Sequence, residues 1–241
     1  MRSIIKCYLY NKIIKHKSVI FFSLVTSYSA LLYAQYEIGN SIVSSNSSGS
    51  LILVGKKGNS YKDIIFKDKK GAIHEIFDDQ YTYEDNGSKG LSPDKNFYVV
   101  TQNESGTAVS DSGGSQGHEV SSCAFIDTSN GCVVKKETGE YCGGTWSGDH
   151  GWPRLDGQVR PINSSLPSAA KLVGDYNNSI QSKKDIKSFV KYGATVGNVM
   201  SCDPVSQGNE DMYKEIANAL DGSGHKKEAG EVNKVLQTLG K

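Results

Sequence analysis

The hydrophobic positions between residues 51 and 142 form short runs of β-branched and aromatic side chains, and most runs are bounded by Gly, Asn, Asp or Pro. The runs are Leu51–Val54, Asp63–Asp68, Ala72–Phe77, Tyr81–Tyr83, Phe97–Thr101, Cys123–Asp127, Cys132–Lys136 and Glu140–Cys142. Runs of this length and composition are typical of β-strands. They predict an antiparallel sheet of about six to eight strands.

Turn signals predict how neighbouring runs pair. The segment 127–131 ends in Asn-Gly, which tolerates positive φ and is typical of a hairpin turn, and Lys69-Lys-Gly71 separates another pair of runs. A turn at 136–139 leads into the run 140–142. The last three runs are therefore predicted to form a three-stranded meander.

Three segments lack the periodicity of a strand or helix. Residues 35–50 are polar and rich in serine, and we interpret them as a leader to the sheet. Residues 102–117 carry no apolar periodicity, which predicts a long loop. Residues 153–167 are bounded by prolines and predict a linker.

Helical patterns occupy the C-terminal part of the chain. Ser182-Lys-Lys-Asp185 matches a capping box before Ile186 and Phe189, and predicts a helix that stops before Asp203-Pro204. Asn209–Leu220 and His225–Leu239 repeat apolar residues at helical spacing and predict a helical hairpin. The fold class is therefore α+β, with an antiparallel β domain over residues 35–160 and an α-helical region over 161–241 packed on it.

The N-terminus predicts export. Residues 1–34 contain five basic residues and no acid, and residues 18–36 are uncharged, which is typical of a signal peptide. An uncleaved membrane anchor is the alternative. Removal of residues 1–34 leaves 22 basic and 26 acidic residues, a net charge of −4. This balance does not favour nucleic-acid binding.

Four cysteines remain after that cleavage: Cys123, Cys132, Cys142 and Cys202. An even number in an exported chain predicts two disulfides in an oxidising compartment, periplasmic or secreted. Three pairings are possible, and the predicted meander favours Cys132–Cys142 with Cys123–Cys202. The spacing Cys-x8-Cys-x9-Cys lacks the close pairs of zinc modules, so no metal site is assigned.

One unit of the chain resembles a β-propeller blade. Leu91-Ser-Pro-Asp-Lys-Asn-Phe-Tyr-Val-Val100 and Phe125-Ile-Asp-Thr-Ser-Asn-Gly131 are similar to the turn motifs of TolB-like and WD40-like blades. The resemblance implies a turn before one strand and a second turn that joins the next two. It covers one copy, whereas a propeller needs several, and it implies no site residues.

No motif predicts catalysis. Ser110-Asp-Ser-Gly-Gly114 is similar to the nucleophile segment of trypsin-like proteases, but His74 upstream has no matching context. His118-Glu119 and Asp149-His150 could supply an acid–base pair. The chain has no His-Glu-x-x-His motif and no phosphate-binding glycine loop. We therefore assign no catalytic residue and no cofactor.

The strongest candidate for contact with a partner is the loop that contains Trp146 and Trp152, called here the tryptophan loop. Its candidate residues are Tyr141, Trp146, His150, Trp152 and Arg154. The indoles either pack inward beside a disulfide or are presented as anchors, since aromatic residues dominate interface hot spots. The sequence favours a non-catalytic inhibitor or immunity-type protein that binds another exported protein, a toxin or hydrolase. The alternatives are a small hydrolase using His118 or His150, and an envelope-anchored scaffold.

Overall fold

Antiparallel strand pairing organises the chain from Ser41 onward. A computed structural model describes residues 39–78, 81–109, 115–148, 151–153, 159–162, 166–180 and 185–239. The chain divides into two units, Met1–Asn40 and Ser41–Lys241. The predicted signal peptide, residues 1–34, lies outside the described residues. The second unit contains an eight-stranded antiparallel sheet followed by helices, which confirms the predicted α+β class.

The sheet is built mostly from strands that neighbour each other in sequence. Its strands are β1 (Ser41–Ser45), β2 (Gly49–Lys57), β3 (Ser60–Asp68), β4 (Ile73–Glu75), β5 (Thr82–Glu84), β6 (Phe97–Val109), β7 (Ser115–Asp127) and β8 (Val133–Thr138). The order is β1-β2-β3-β5-β6-β7-β8, and β4 pairs with the last part of β3. Strands β9 (Gly151–Pro153) and β10 (Val159–Pro161) form a separate two-stranded sheet.

The helices of the described residues differ in length and type. The α-helices are α1 (Gly87–Gly90), α2 (Ala169–Asn178), α3 (Val196–Cys202), α4 (Glu210–Gly222) and α5 (Lys226–Leu239). The 3-10 helices are η1 (Gly139–Gly143), η2 (Ile186–Phe189) and η3 (Lys191–Gly193). Helices α4 and α5 form the predicted hairpin. Ile216 and Leu220 lie about one turn apart on α4, and both are fully buried, as is Val232 on α5.

Alternation along the central strands divides the buried side chains between the two faces of the sheet. Tyr98, Val100 and Ile126 join the main core beneath the helices. Phe97 and Phe125 belong to a second, smaller cluster. A strand that is apolar on both faces needs a cover on each side, and here the helices and the tryptophan loop supply the two covers.

All three segments predicted to lack secondary structure contribute strands, because the predicted linker at 153–167 contains β10. The supposed leader contains β1, whose Ile42 and Val43 are the only large apolar residues between Asn40 and Asn46. Residues 102–109 and 115–117 of the supposed loop extend the β6–β7 ribbon, in which Ser105 lies opposite Glu119 and Val109 opposite Ser115. Antiparallel pairing uses backbone groups, so these polar segments gave no apolar signal. The blade-like turns occupy their implied places, before β6 and between β7 and β8, within this single sheet.

The predicted helix after residue 182 is wrong in part. Ser182 lies outside the described residues, and the following chain forms η2 and η3 instead of one α-helix. Tyr192 and Gly193 have φ angles of 67° and 64°, which an α-helix cannot contain. The helix that ends before Asp203-Pro204 is the separate α3. Helix α2 begins after a Ser168 cap that the sequence interpretation did not use.

The disulfides join the four expected cysteines, but the favoured pairing is wrong. The bridges are Cys123–Cys142 and Cys132–Cys202. The predicted third meander strand is η1, because Gly139 at φ 63° turns the chain out of β8 and brings Cys142 back beside β7. Cys132 lies in the turn before β8, where the end of α3 reaches it. Two disulfides fit an exported protein.

Candidate functional site

The tryptophan loop closes the second face of the sheet. Trp152 is 6% exposed, and its ring meets those of Phe125 and Trp146 edge-on at centroid distances of 5.4 and 5.2 Å. The half-buried Trp146 donates a hydrogen bond from Nε1 to the carbonyl oxygen of Gly90 at 3.0 Å. The indoles therefore pack inward, the first of the two arrangements considered for them.

The other predicted site residues lie wholly or partly outside the described structure. Tyr141 lies on η1 and His118 on β7, opposite Gly106, but the side chains of both fall outside the described part. His150 and Arg154 lie outside it entirely, as do Ser112 and Asp149. Partner contact by this loop and acid–base chemistry at the two histidines remain predictions.

A groove on the helical side is a candidate site that the sequence did not indicate. It has a volume of about 620 Å³ and lies between β4, the start of α3 and one flank of α5. We call it the β4–α5 groove. Its apolar lining includes Ile73, Met200 and Val235, and lysine and carboxylate side chains line it as well. These residues come from three distant segments, so no local motif marks the groove.

The walls of the groove are joined by backbone contacts. Thr195 donates a hydrogen bond from Oγ1 to the carbonyl oxygen of Glu75 at 2.7 Å. Its backbone N–H donates a second one to the carbonyl oxygen of Ile76 at 3.0 Å. The same side-chain oxygen accepts the N–H of Asn198 and caps α3. One threonine thus fixes the start of α3 against the end of β4.

Lys187 connects three elements at the groove. Its Nζ lies 3.3 Å from Asp78 and 3.1 Å from Glu228 on α5. Partial burial alone would lower the pKa of Lys187, but the Glu228 hydrogen bond and the Asp78 charge outweigh it and raise the pKa. Burial would likewise raise the pKa of Glu228, yet hydrogen bonds from its own backbone N–H and from Lys187 leave that pKa lowered.

Asp185, the residue that caps η2, pairs with a histidine. His225 Nε2, at the α4–α5 turn, lies 3.0 Å from Asp185 Oδ2. Burial opposes ionisation of Asp185, but the His225 hydrogen bond and the Lys187 backbone N–H lower the pKa of the carboxyl. Asp185 and Lys187 together hold η2 against the start of α5.

The remaining lysines of the groove are unequally compensated. Lys227 lies 3.8 Å from Glu75 and 4.0 Å from Glu231. Within the described ranges, neither Lys70 nor Lys234 forms an ion pair, although the charge of Lys70 contributes to the lowered pKa of Asp68. The groove thus joins an apolar lining to two ammonium groups that lack a direct counter-ion.

No three His, Cys, Asp or Glu side chains among the described residues come together as a metal site. The described helices also include none that is long and apolar enough to cross a membrane.

Comparison of the chain with protein-family models, curated proteins and solved structures finds no match.

Proposed function

We propose that this protein is an exported binding protein of the inhibitor or immunity type, which masks another exported protein by direct contact in the periplasm or outside the cell. Its contact surface is the β4–α5 groove, and its partner is a toxin or hydrolase. The protein performs no reaction of its own.

The observation that carries the proposal is the exposure of apolar side chains inside a fixed groove. Ile73 is 51% exposed and Val235 37%, and both line the groove. A concave apolar lining with a charged rim is what a partner side chain needs for a desolvated anchor site. The ion pairs of Lys187 and the Thr195 contacts hold the walls in place, which reduces the ordering cost of binding.

Site-specific photo-crosslinking tests the contact surface. The photoreactive residue p-benzoylphenylalanine replaces Val235 in one variant and Lys57 in the control, in cells that produce the protein. Lys57 pairs with Ser60 at the other end of β3, roughly 20 Å along the strand from the β4 pairing. We expect one exported protein to crosslink from Val235 and not from Lys57.

The inhibitor role needs a functional readout on that captured protein. Its activity should fall on addition of an equimolar amount of the wild-type chain and should persist with Val235→Glu, which places a charge in the apolar lining. Equal crosslinking from both positions, or inhibition that survives Val235→Glu, would overturn the proposal.

A further inference from the structure

We infer that the segment of the partner bound in the β4–α5 groove is acidic and apolar, with carboxylates against Lys70 and Lys234 and an apolar side chain over Ile73 and Val235. This inference rests on the proposed function and adds the chemistry of the bound segment.

The carboxylates of the groove are all paired with lysines, whereas two lysines are not paired with described carboxylates. Four carboxylates line it, and each is within ion-pair distance of Lys187 or Lys227: Glu75, Asp78, Glu228 and Glu231. These four acids are therefore occupied by two lysines. Lys70 and Lys234 form no ion pair with a described residue, so their ammonium groups are the charges that a bound segment can pair most readily.

The two lysines without an ion pair to a described residue lie on opposite walls of the groove. Lys70 lies in the β3–β4 turn on one wall, and Lys234 lies on α5 beside Val235 on the other. Lys234 follows Lys227 by two helical turns, so the two lysines lie on similar sides of α5. An apolar side chain over Ile73 and Val235 would have a cation available on each wall.

A basic segment fits the groove poorly. It would meet Lys70 and Lys234 directly and would have to compete with Lys187 and Lys227 for their carboxylates. Like charges brought together at an interface disfavour the complex. The net charge of the partner is a separate matter, because long-range attraction acts on whole surfaces whereas the groove selects one segment.

A phosphate-rich surface fits less well than an acidic peptide. The exposed carboxylates of Glu75 and Glu231 lie among the lysines, and they would repel a dense array of phosphates. The exposed Ile73 and Val235 also offer apolar contact that a phosphate does not use. We therefore assign the groove to a protein segment, and a lipid surface becomes an outcome of the test.

Two fluorescent peptides of equal length test the inference, with the protein purified from the cells that produce it. One alternates leucine with glutamate and the other leucine with lysine, and anisotropy gives both affinities at low salt. The acidic peptide should bind about tenfold more tightly, and added salt should reduce the difference. Lys234→Gln should weaken acidic-peptide binding by about twofold to fivefold, whereas the distant Lys57→Gln should not change it.

The outcomes separate this inference from the proposed function. Equal binding, tighter binding of the basic peptide, or binding of neither peptide would overturn the inference. Lys234-dependent binding of phosphatidylglycerol vesicles in place of the acidic peptide would also overturn it, in favour of a lipid surface. If crosslinking from Val235 still captures one inhibited partner, the proposed function stands and only the assigned segment chemistry fails. If crosslinking fails while the acidic peptide binds, the proposed function fails.

Discussion

The side-chain amide of Asn198 on α3 donates from Nδ2 to the backbone carbonyl oxygen of Gly131 at 2.9 Å. Its Oδ1 also accepts the N–H of Val133 at 3.4 Å. Asn198 is 2% exposed, so it satisfies backbone groups of the β7–β8 turn that water cannot reach. One buried amide therefore joins the helical half of the unit to the sheet.

Asn198→Ala should lower the free energy of unfolding by about 1–3 kcal/mol, because it leaves buried turn groups without partners. Urea unfolding measures the loss. Asn178→Ala, at the exposed end of α2, is the matched control and should change stability by less than about 0.5 kcal/mol. Similar losses in both variants would show that Asn198 does not support the turn.

Gly131→Ala should destabilise the protein more than Gly139→Ala. Both glycines have positive φ, 78° and 63°, so alanine costs about 1–2 kcal/mol of backbone strain at either position. A Cβ at Gly131 would also lie 2.6 Å from the Cβ of Phe66, whereas one at Gly139 meets no described atom within 4 Å. The overlap should add about 1–3 kcal/mol, and the difference between the two unfolding curves isolates it. Equal losses would argue against close packing of Phe66 on the turn.

Removing either disulfide should lower stability by about 2–5 kcal/mol. The Cys132–Cys202 bridge spans 70 residues and the Cys123–Cys142 bridge spans 19. By loop entropy, Cys132→Ala with Cys202→Ala should cost about 1 kcal/mol more than the other double variant. Non-reducing peptide mapping checks the pairing directly, and a Cys132–Cys142 fragment would contradict it.

The Asp185–His225 pair should make stability depend on acid pH. The pKa of Asp185 is lowered in the folded protein, so its contribution is complete at neutral pH and is lost as the pH falls below the ordinary value of 3.8. Asp185→Asn should reduce stability at pH 7 by less than about 1 kcal/mol, because the carboxylate is half exposed. It should also flatten the acid limb of stability below about pH 4.

Asp221→Asn, on the exposed last turn of α4, is the control for the acid limb and should leave it unchanged. Unfolding free energies measured across this pH range decide the matter. An acid limb that is as steep in Asp185→Asn as in the wild type would mean that other carboxylates, such as Glu228, dominate it.

Trp152→Ala should cost about 3–5 kcal/mol of stability, because it empties a buried ring site. Trp146→Phe retains an aromatic ring and mainly loses the hydrogen bond to Gly90, so it should cost about 0.5–1.5 kcal/mol. Thermal unfolding compares the two. A Trp152→Ala protein that stays stable but loses its partner would identify that indole as a presented anchor.

Local periodicity predicted the helical hairpin, because Met212, Ile216 and Leu220 repeat every four residues and Ala229, Val232 and Leu236 repeat at helical spacing. The runs Phe97–Thr101 and Cys123–Asp127 predicted one end of the β6–β7 ribbon, but residues 102–109 and 115–117 were missed because their polar side chains repeat no pattern. The disulfide pairing could not be predicted because it depends on η1. This 3-10 helix begins at Gly139 and places Cys142 beside Cys123 instead of opposite Cys132. The groove joins Ile73, Thr195 and Val235, and only the tertiary fold brings residues so distant in sequence together.

The pairing of Cys132 with Cys202 also sets the order in which an N-terminus-first chain can mature. Cys123, Cys132 and Cys142 are synthesised before Cys202, so Cys132 must stay unpaired or enter a non-native bridge until the residues of α3 follow. Its nearest available partners are Cys123 and Cys142, and a bridge to either would have to be reshuffled, which takes seconds to hours. A thiol isomerase is therefore expected to increase the rate at which native protein forms more than an oxidant alone does.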